Sequence, residues 1–188
     1  LQLIQDDIRW FDSKILNGID VVMDLAALSN DPVGDLDPKN TYEINHLGRL
    51  RVAKLSKEAG IPKYILASSA SIYGQQEQIA TEESSVSPLT AYSKANRKAE
   101  VDILPLSSDD FSVTALRFSS VYGISPRMRF DLAINGMVLD FFKNKKTILR
   151  YTFSVLKFIW NLAFEFWNFQ NVIENSNLIY KTEDGGAT

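Results

Sequence analysis

The stretch AYSKANRKAE, residues 91 to 100, sets a tyrosine, two lysines and an asparagine on one candidate helix. A free phenol has a pKa near 10 and is a poor proton acceptor at neutral pH. A cation within about 4–6 Å can lower such a pKa by one to three units. The lysines are misplaced for that task. At about 100° per residue, Lys94 and Lys98 lie about 200° and 240° around the helix from Tyr92. The residue one turn after Tyr92 is Asn96. A second group of candidates is built from hydroxyls. DLAALSN (24–30), ASSASIYG (67–74) and RFSSVYG (117–123) are rich in small and hydroxylated residues. Small residues let a flat ligand approach the backbone, and hydroxyls can hold or polarise an oxygen. For any one segment alone, an ordinary serine-rich turn is the competing reading.

The rest of the chain must position these groups. LQLIQ (1–5) alternates and predicts a short strand, and the apolar run at 18–29 predicts a strand buried on both faces. Residues 30–38 are loop chemistry, and apolar spacing from Asn40 to Ala59 predicts a helix that ends at Gly60-Ile61-Pro62. Residues 63–69 predict a strand, 91–104 a helix, 111–123 a strand and 128–146 a helix. Strands alternating with helices predict an α/β fold with a parallel sheet, its ligand site at the carboxyl ends of the strands. The three hydroxyl-rich segments stand at such ends.

Composition narrows the classes. The 188 residues suffice for one domain with a sizeable core. A net charge of −3 gives no reason to expect nucleic acid or an anionic membrane as partner. With no cysteine and one histidine, Cys-based and His-rich metal sites are excluded, and no metal is expected. No segment reads as a signal peptide, so the cytoplasm is the expected location.

Taken in order, DDIR, DLAALS, YEINHLG, YILASSASIYG, SPLTAYSKANRKAE and LRFSSVYG resemble the extended short-chain dehydrogenase/reductases, and within them the NAD-dependent epimerase/dehydratase proteins of nucleotide sugars. The match covers about residues 5–150. It implies a partial Rossmann-type domain over 1–123, the start of a substrate-binding region over 124–150, and NAD as cofactor, with NADP as the alternative. Asp7 and Ile8 then fall at the adenine contact. Leu25, Ala26 and Ala27 line the cofactor, with Asp24 where the family usually has histidine. Asn45 matches an asparagine behind the cofactor, a solvated helix residue being the alternative. Ser68 counts among the cofactor contacts. His46 reads as a surface residue.

The resemblance also distributes catalytic roles. Ser69 falls at the catalytic serine, with Ser71 assisting, and Tyr92 at the general base or acid. Asn96 falls where the family has the lysine that lowers the tyrosine's pKa and grips the nicotinamide ribose. Sugar 4,6-dehydratases place Asp-Glu after the catalytic serine. Ala70 and Ser71 stand there, which favours 4-epimerisation or keto-reduction. Ser120, Arg127 and Arg129 fall near the substrate, the arginines suited to a diphosphate by their forked donors. A nucleotide sugar is the expected substrate and a homodimer the candidate assembly.

Two features depart from the pattern. The glycine-rich pyrophosphate loop is not found, and a chain starting at the family's third strand would lack roughly 50 residues upstream. The aromatic-rich tail over 151–188 shows no match to the family. Its polar stripe of Ser154, Lys157, Asn161, Glu165 and Asn168 predicts a mostly buried helix, and a shifted reading frame or truncated gene is the expected origin. Three functions therefore compete at this point: an NAD-dependent epimerase or reductase, a non-catalytic dinucleotide-binding or regulatory protein, and an inactive fragment or interaction protein.

Overall fold

Val21–Asp24 (β1), Lys63–Ser69 (β2) and Ser112–Phe118 (β3) form a parallel sheet in the order β1-β2-β3. The computed structural model describes residues 2–29, 31–144, 148–149 and 179–180. Two crossovers make the strands parallel. The first carries Asp31–Leu36 (α1), Pro38–Tyr42 (α2), a π-wound turn at Glu43–Gly48 and Arg49–Glu58 (α3). The second carries a 3₁₀ turn at Ala70–Tyr73 and Ala91–Ile103 (α4).

Strand alternation sorts the side chains. On β2, Tyr64, Leu66 and Ser68 are buried beneath the helices, while Ile65, Ala67 and Ser69 turn to the other face and are half-buried. The core joins Tyr64 and Leu66 with Ala53 on α3, Ala99 and Ile103 on α4, and Phe111. Met23 on β1 and Leu116 and Phe118 on β3 remain exposed on the opposite face. Parallel sheets ordinarily cover both faces, so this one is dressed on one side among the described residues.

Buried polar groups tie the sheet to α4. Glu100 is fully buried and accepts from Arg117 on β3 (2.9 and 3.0 Å), Ser68 on β2 (2.6 Å) and Arg97 on its own helix (3.1 Å). Burial pushes its carboxyl upward. The bonds from Arg117, Ser68 and Arg97 outweigh that push and hold it below the ordinary glutamate range.

Several expected boundaries move. The strand predicted at 1–5 does not form: residues 2–6 lack regular structure and Leu3 is 95% exposed, because alternation alone supplies no neighbouring strand to pair with. The strands predicted at 18–29 and 111–123 shrink to four and seven residues, since pairing with β2 ends at Asp24 and Phe118. Residues 30–38, expected as loop, hold α1 and the start of α2, where Asp37 caps Asn40 and Pro38 opens the helix. The expected helix at 128–146 begins only at Ala133.

The chain divides into two compact units, Leu1–Ser119 and Ser120–Thr188. The second contains Ala133–Asn144 (α5) and a short parallel pair, Ile148–Leu149 (β4) with Ile179–Tyr180 (β5). The helix expected from the polar stripe of Ser154 to Asn168 falls outside the described residues.

Replacing Glu100 by glutamine leaves Arg117 without its carboxylate and is expected to cost about 3 kcal/mol, read by denaturant unfolding. Because the folded carboxyl titrates below its unfolded value, Glu100's contribution is complete above the unfolded carboxylate range and is lost as acid protonates the folded state. The Glu100→Gln chain should therefore lose less stability between neutral and acid pH than the parent.

Candidate functional site

Tyr92 is held by the first turn of α4 from four directions. Thr90 caps the helix reciprocally with Ser93: the Ser93 amide donates to Thr90 Oγ1 (3.1 Å) and the Thr90 amide to Ser93 Oγ (3.0 Å). Asp35 of α1 accepts from the Ala91 amide at 2.9 Å. Gly34 lies so close that a Cβ there would stand 3.1 Å from the Cβ of Tyr92. Asn96 Nδ2 donates to the Tyr92 carbonyl at 3.0 Å. The tyrosine side chain stays half-buried, while Lys94 and Lys98 are exposed and Lys98 lies over the Tyr42 ring.

Asn96 is not an open contact for a ribose. It is 1% exposed, its Oδ1 accepts from Arg49 Nη1 at 2.8 Å, and its Nδ2 faces Tyr92. Arg49, also 1% exposed, donates from Nε to Asp24 Oδ2 (3.2 Å) and from Nη2 to the carbonyls of Asp24 (3.2 Å) and Ala67 (2.6 Å). Tyr64 donates to the same Asp24 oxygen at 2.5 Å. Burial and the charge of Asp24 push the Tyr64 phenol far above its ordinary value, so it serves as a fixed donor.

Ser69 and Ser71 come together. The Ser71 hydroxyl and amide both donate to Ser69 Oγ, at 2.9 and 3.2 Å, and Ser69 caps the Ala70–Tyr73 turn. With its oxygen accepting twice, the Ser69 hydroxyl keeps its own hydrogen to offer. The turn ends at Gly74 (φ 66°), where a Cβ would collide with the Ser87 carbonyl, and α4 packs against this turn. Ser68, expected among the cofactor contacts, is instead buried against Glu100 because it lies on the helix-covered face of β2.

Beyond β1, Leu25 is 67% exposed and Ala26 and Ala27 are half-buried. Their small or open side chains leave the backbone approachable, which fits the flat rings of a dinucleotide. Asn45 shapes this loop from behind. It is fully buried, accepts from the Leu28 amide (2.8 Å) and donates to the Leu28 carbonyl (3.0 Å). It is not a solvated helix residue; it clamps the loop expected to line the cofactor. His46 lies near the surface and meets Asp102 at 2.6 Å.

Other expected contacts are already engaged. Side-chain and backbone hydrogen bonds from Arg9 hold the Asp7 carboxyl below the ordinary aspartate range. Ile8 packs against Gly48 and the core. In the second unit, Ser120 and Arg127 are exposed, while the Arg129 guanidinium meets Asp131 through two bonds, 3.2 and 2.6 Å. A diphosphate contact by Arg129 must therefore compete with a carboxylate.

The family profile for NAD dependent epimerases and dehydratases matches residues 5–152. The chain belongs to that family. A Bacillus subtilis (strain 168) protein named as an uncharacterized UDP-glucose epimerase, YtcB, is 27% identical over 136 residues, which is 71% of this chain and 42% of the relative. MoeE5, solved with UDP-glucose and NAD, superposes with a TM-score of 0.67 at 27% identity, over 78% of this chain and 50% of its own. UDP-glucuronic acid 4-epimerase from Bacillus cereus, solved with NAD, gives 0.66 at 27% identity over 79% and 48%. The chain thus spans about half the length of these epimerase/dehydratase relatives or less.

Sequence reasoning missed Gly34, Asp35 and Arg49. The first two sat in a presumed loop, where Asp37-Pro38 was a legible helix start. Arg49 was hidden by helical spacing that ignored the π-wound turn before it. Truncating Asn45 to alanine removes both bonds to Leu28, with an expected cost of about 1–3 kcal/mol. Hydrogen exchange at the Leu28 amide should rise well beyond the change at the amides of β2.

Proposed function

We propose that this protein acts on a nucleotide sugar, a UDP- or dTDP-hexose, with NAD as cofactor, by 4-epimerisation or keto-reduction. The observation that carries this reading is the Ser69 hydroxyl, which accepts from Ser71 and retains a hydrogen, on a turn packed against the helix of Tyr92. Ser69 donates that hydrogen to the sugar oxygen and stabilises charge gathering there. Tyr92 exchanges the hydroxyl proton of the same carbon as general base or acid. Leu25, Ala26 and Ala27, held by Asn45, form the floor for the flat rings of NAD, which when bound would supply the hydride acceptor and donor.

Arg127 and Arg129 are the proposed contacts to the sugar diphosphate, and Ser120 is a further proposed substrate contact. Ala70 and Ser71, in place of an acid–base carboxylate pair, favour redox chemistry at one carbon over loss of water. The cytoplasm and a homodimer belong to this reading. A second reading, a dinucleotide-binding protein without turnover, is favoured by Asn96, whose carboxamide is engaged at both ends.

Binding of NAD(H) followed by fluorescence, then a search for interconversion of UDP- and dTDP-hexoses, separates the two. Tyr92→Phe is expected to lower turnover by about 10²–10⁴ while leaving NAD affinity within a few-fold. Binding without turnover on every hexose would select the second reading.

A further inference from the structure

We propose that Arg49 is a positioning residue for Tyr92, acting through Asn96, and that its guanidinium closes position 96 to a lysine. The inference rests on the reading of Tyr92 as the group that exchanges the substrate proton.

Hydrogen-bond polarity fixes the arrangement. Arginine offers only donors, so the Asn96 carboxamide must turn Oδ1 toward Arg49, which aims Nδ2 at the Tyr92 carbonyl. A flipped amide would set donor against donor, where neither residue has water to fall back on, since both are 1% exposed. Arg49 is itself anchored to β1 and β2 through Asp24 and the Ala67 carbonyl. One buried fork thus refers the first turn of α4 to the carboxyl ends of two strands. The Tyr92 backbone is then placed by the sheet as well as by its own helix.

Charge fixes the rest. Asp24 and Arg49 form a buried pair at 3.2 Å, and the neighbouring Tyr64 and Asn96 side chains are neutral. The cluster balances at one anion and one cation. A lysine at position 96 would bring a second cation against the guanidinium with a single carboxylate for both. Buried charge without a partner is strongly unfavourable. Asn96 is therefore the acceptor that Arg49 requires, and the two positions change together or not at all.

Melting of the full 188-residue chain tests the coupling without any substrate. Asn96→Lys should lower the melting temperature by about 10 °C. Adding Arg49→Ala to it should regain at least half of that loss, because the ammonium can then take up Asp24. An Asn96→Lys chain that melts with or above the parent, or a double variant that regains nothing, overturns the proposal. Positioning is read separately in Arg49→Lys, which keeps a cation for Asp24 and loses the fork. Under conditions where it is folded, kcat should fall about tenfold with KM for the nucleotide sugar within twofold. An unchanged kcat would reduce Arg49 to a structural strut and overturn its positioning role. Should the parent convert no sugar, the proposed function fails while the melting comparison still decides the coupling. Movement of the Tyr92 ring resonances between parent and Arg49→Lys, by NMR, then replaces kcat, and unmoved resonances overturn the positioning role.

Discussion

A guanidinium sealed from water has to have its N–H groups answered from within, and that requirement organises this fold. Arg49 meets it with a carboxylate on β1, main-chain carbonyls of β1 and β2, and a carboxamide on α4. The four acceptors come from three elements, two of them from Asp24, so the side chain fixes the distances among β1, β2 and α4. Burial makes the arrangement demanding: losing any one acceptor would leave a donor unpaired at low dielectric. Glu100 plays the converse part further along α4, where one carboxylate gathers donors from β2, β3 and the helix itself. The two clusters fasten α4 to the sheet at successive turns.

Ser69 depends on a different constraint, the two-residue period of a strand. A single step along β2 separates a serine committed to the core from one on the open face. Both serines were site candidates in sequence, Ser69 as the catalytic group and Ser68 as a cofactor contact, yet only Ser69 carries a hydroxyl clear of the helices. The 3₁₀ turn that follows brings Ser71 back onto Ser69.

Much of the architecture was legible because periodicity and helix ends have local causes. The helical stretch expected over 40–59, which forms as α2, the π-wound turn and α3, the strand at 63–69 and the helix expected over 91–104 follow from apolar spacing and local stop signals. Family membership followed from six ordered motifs. What could not be read depended on which partner each group takes in the folded chain. LQLIQ alternates as a strand does but has no ladder to join among the described residues. Asp7 offers a carboxylate that Arg9, two residues on, already holds. Asn96 looked like a blank beside Tyr92 because the cation opposite it lies 47 positions earlier, past a turn wound out of register.

The half-dressed sheet has a practical meaning for anyone handling this chain. Met23, Leu116 and Phe118 present an oily patch bordered by β1, which among the described residues pairs on one side only. Water wets such a patch poorly, and whatever shields it, whether detergent, chaperone or neighbour, adds to the folding free energy by mass action. Where the shield is a second copy, dilution becomes a variable of its folding, and a melting curve then has meaning only alongside the concentration at which it was recorded.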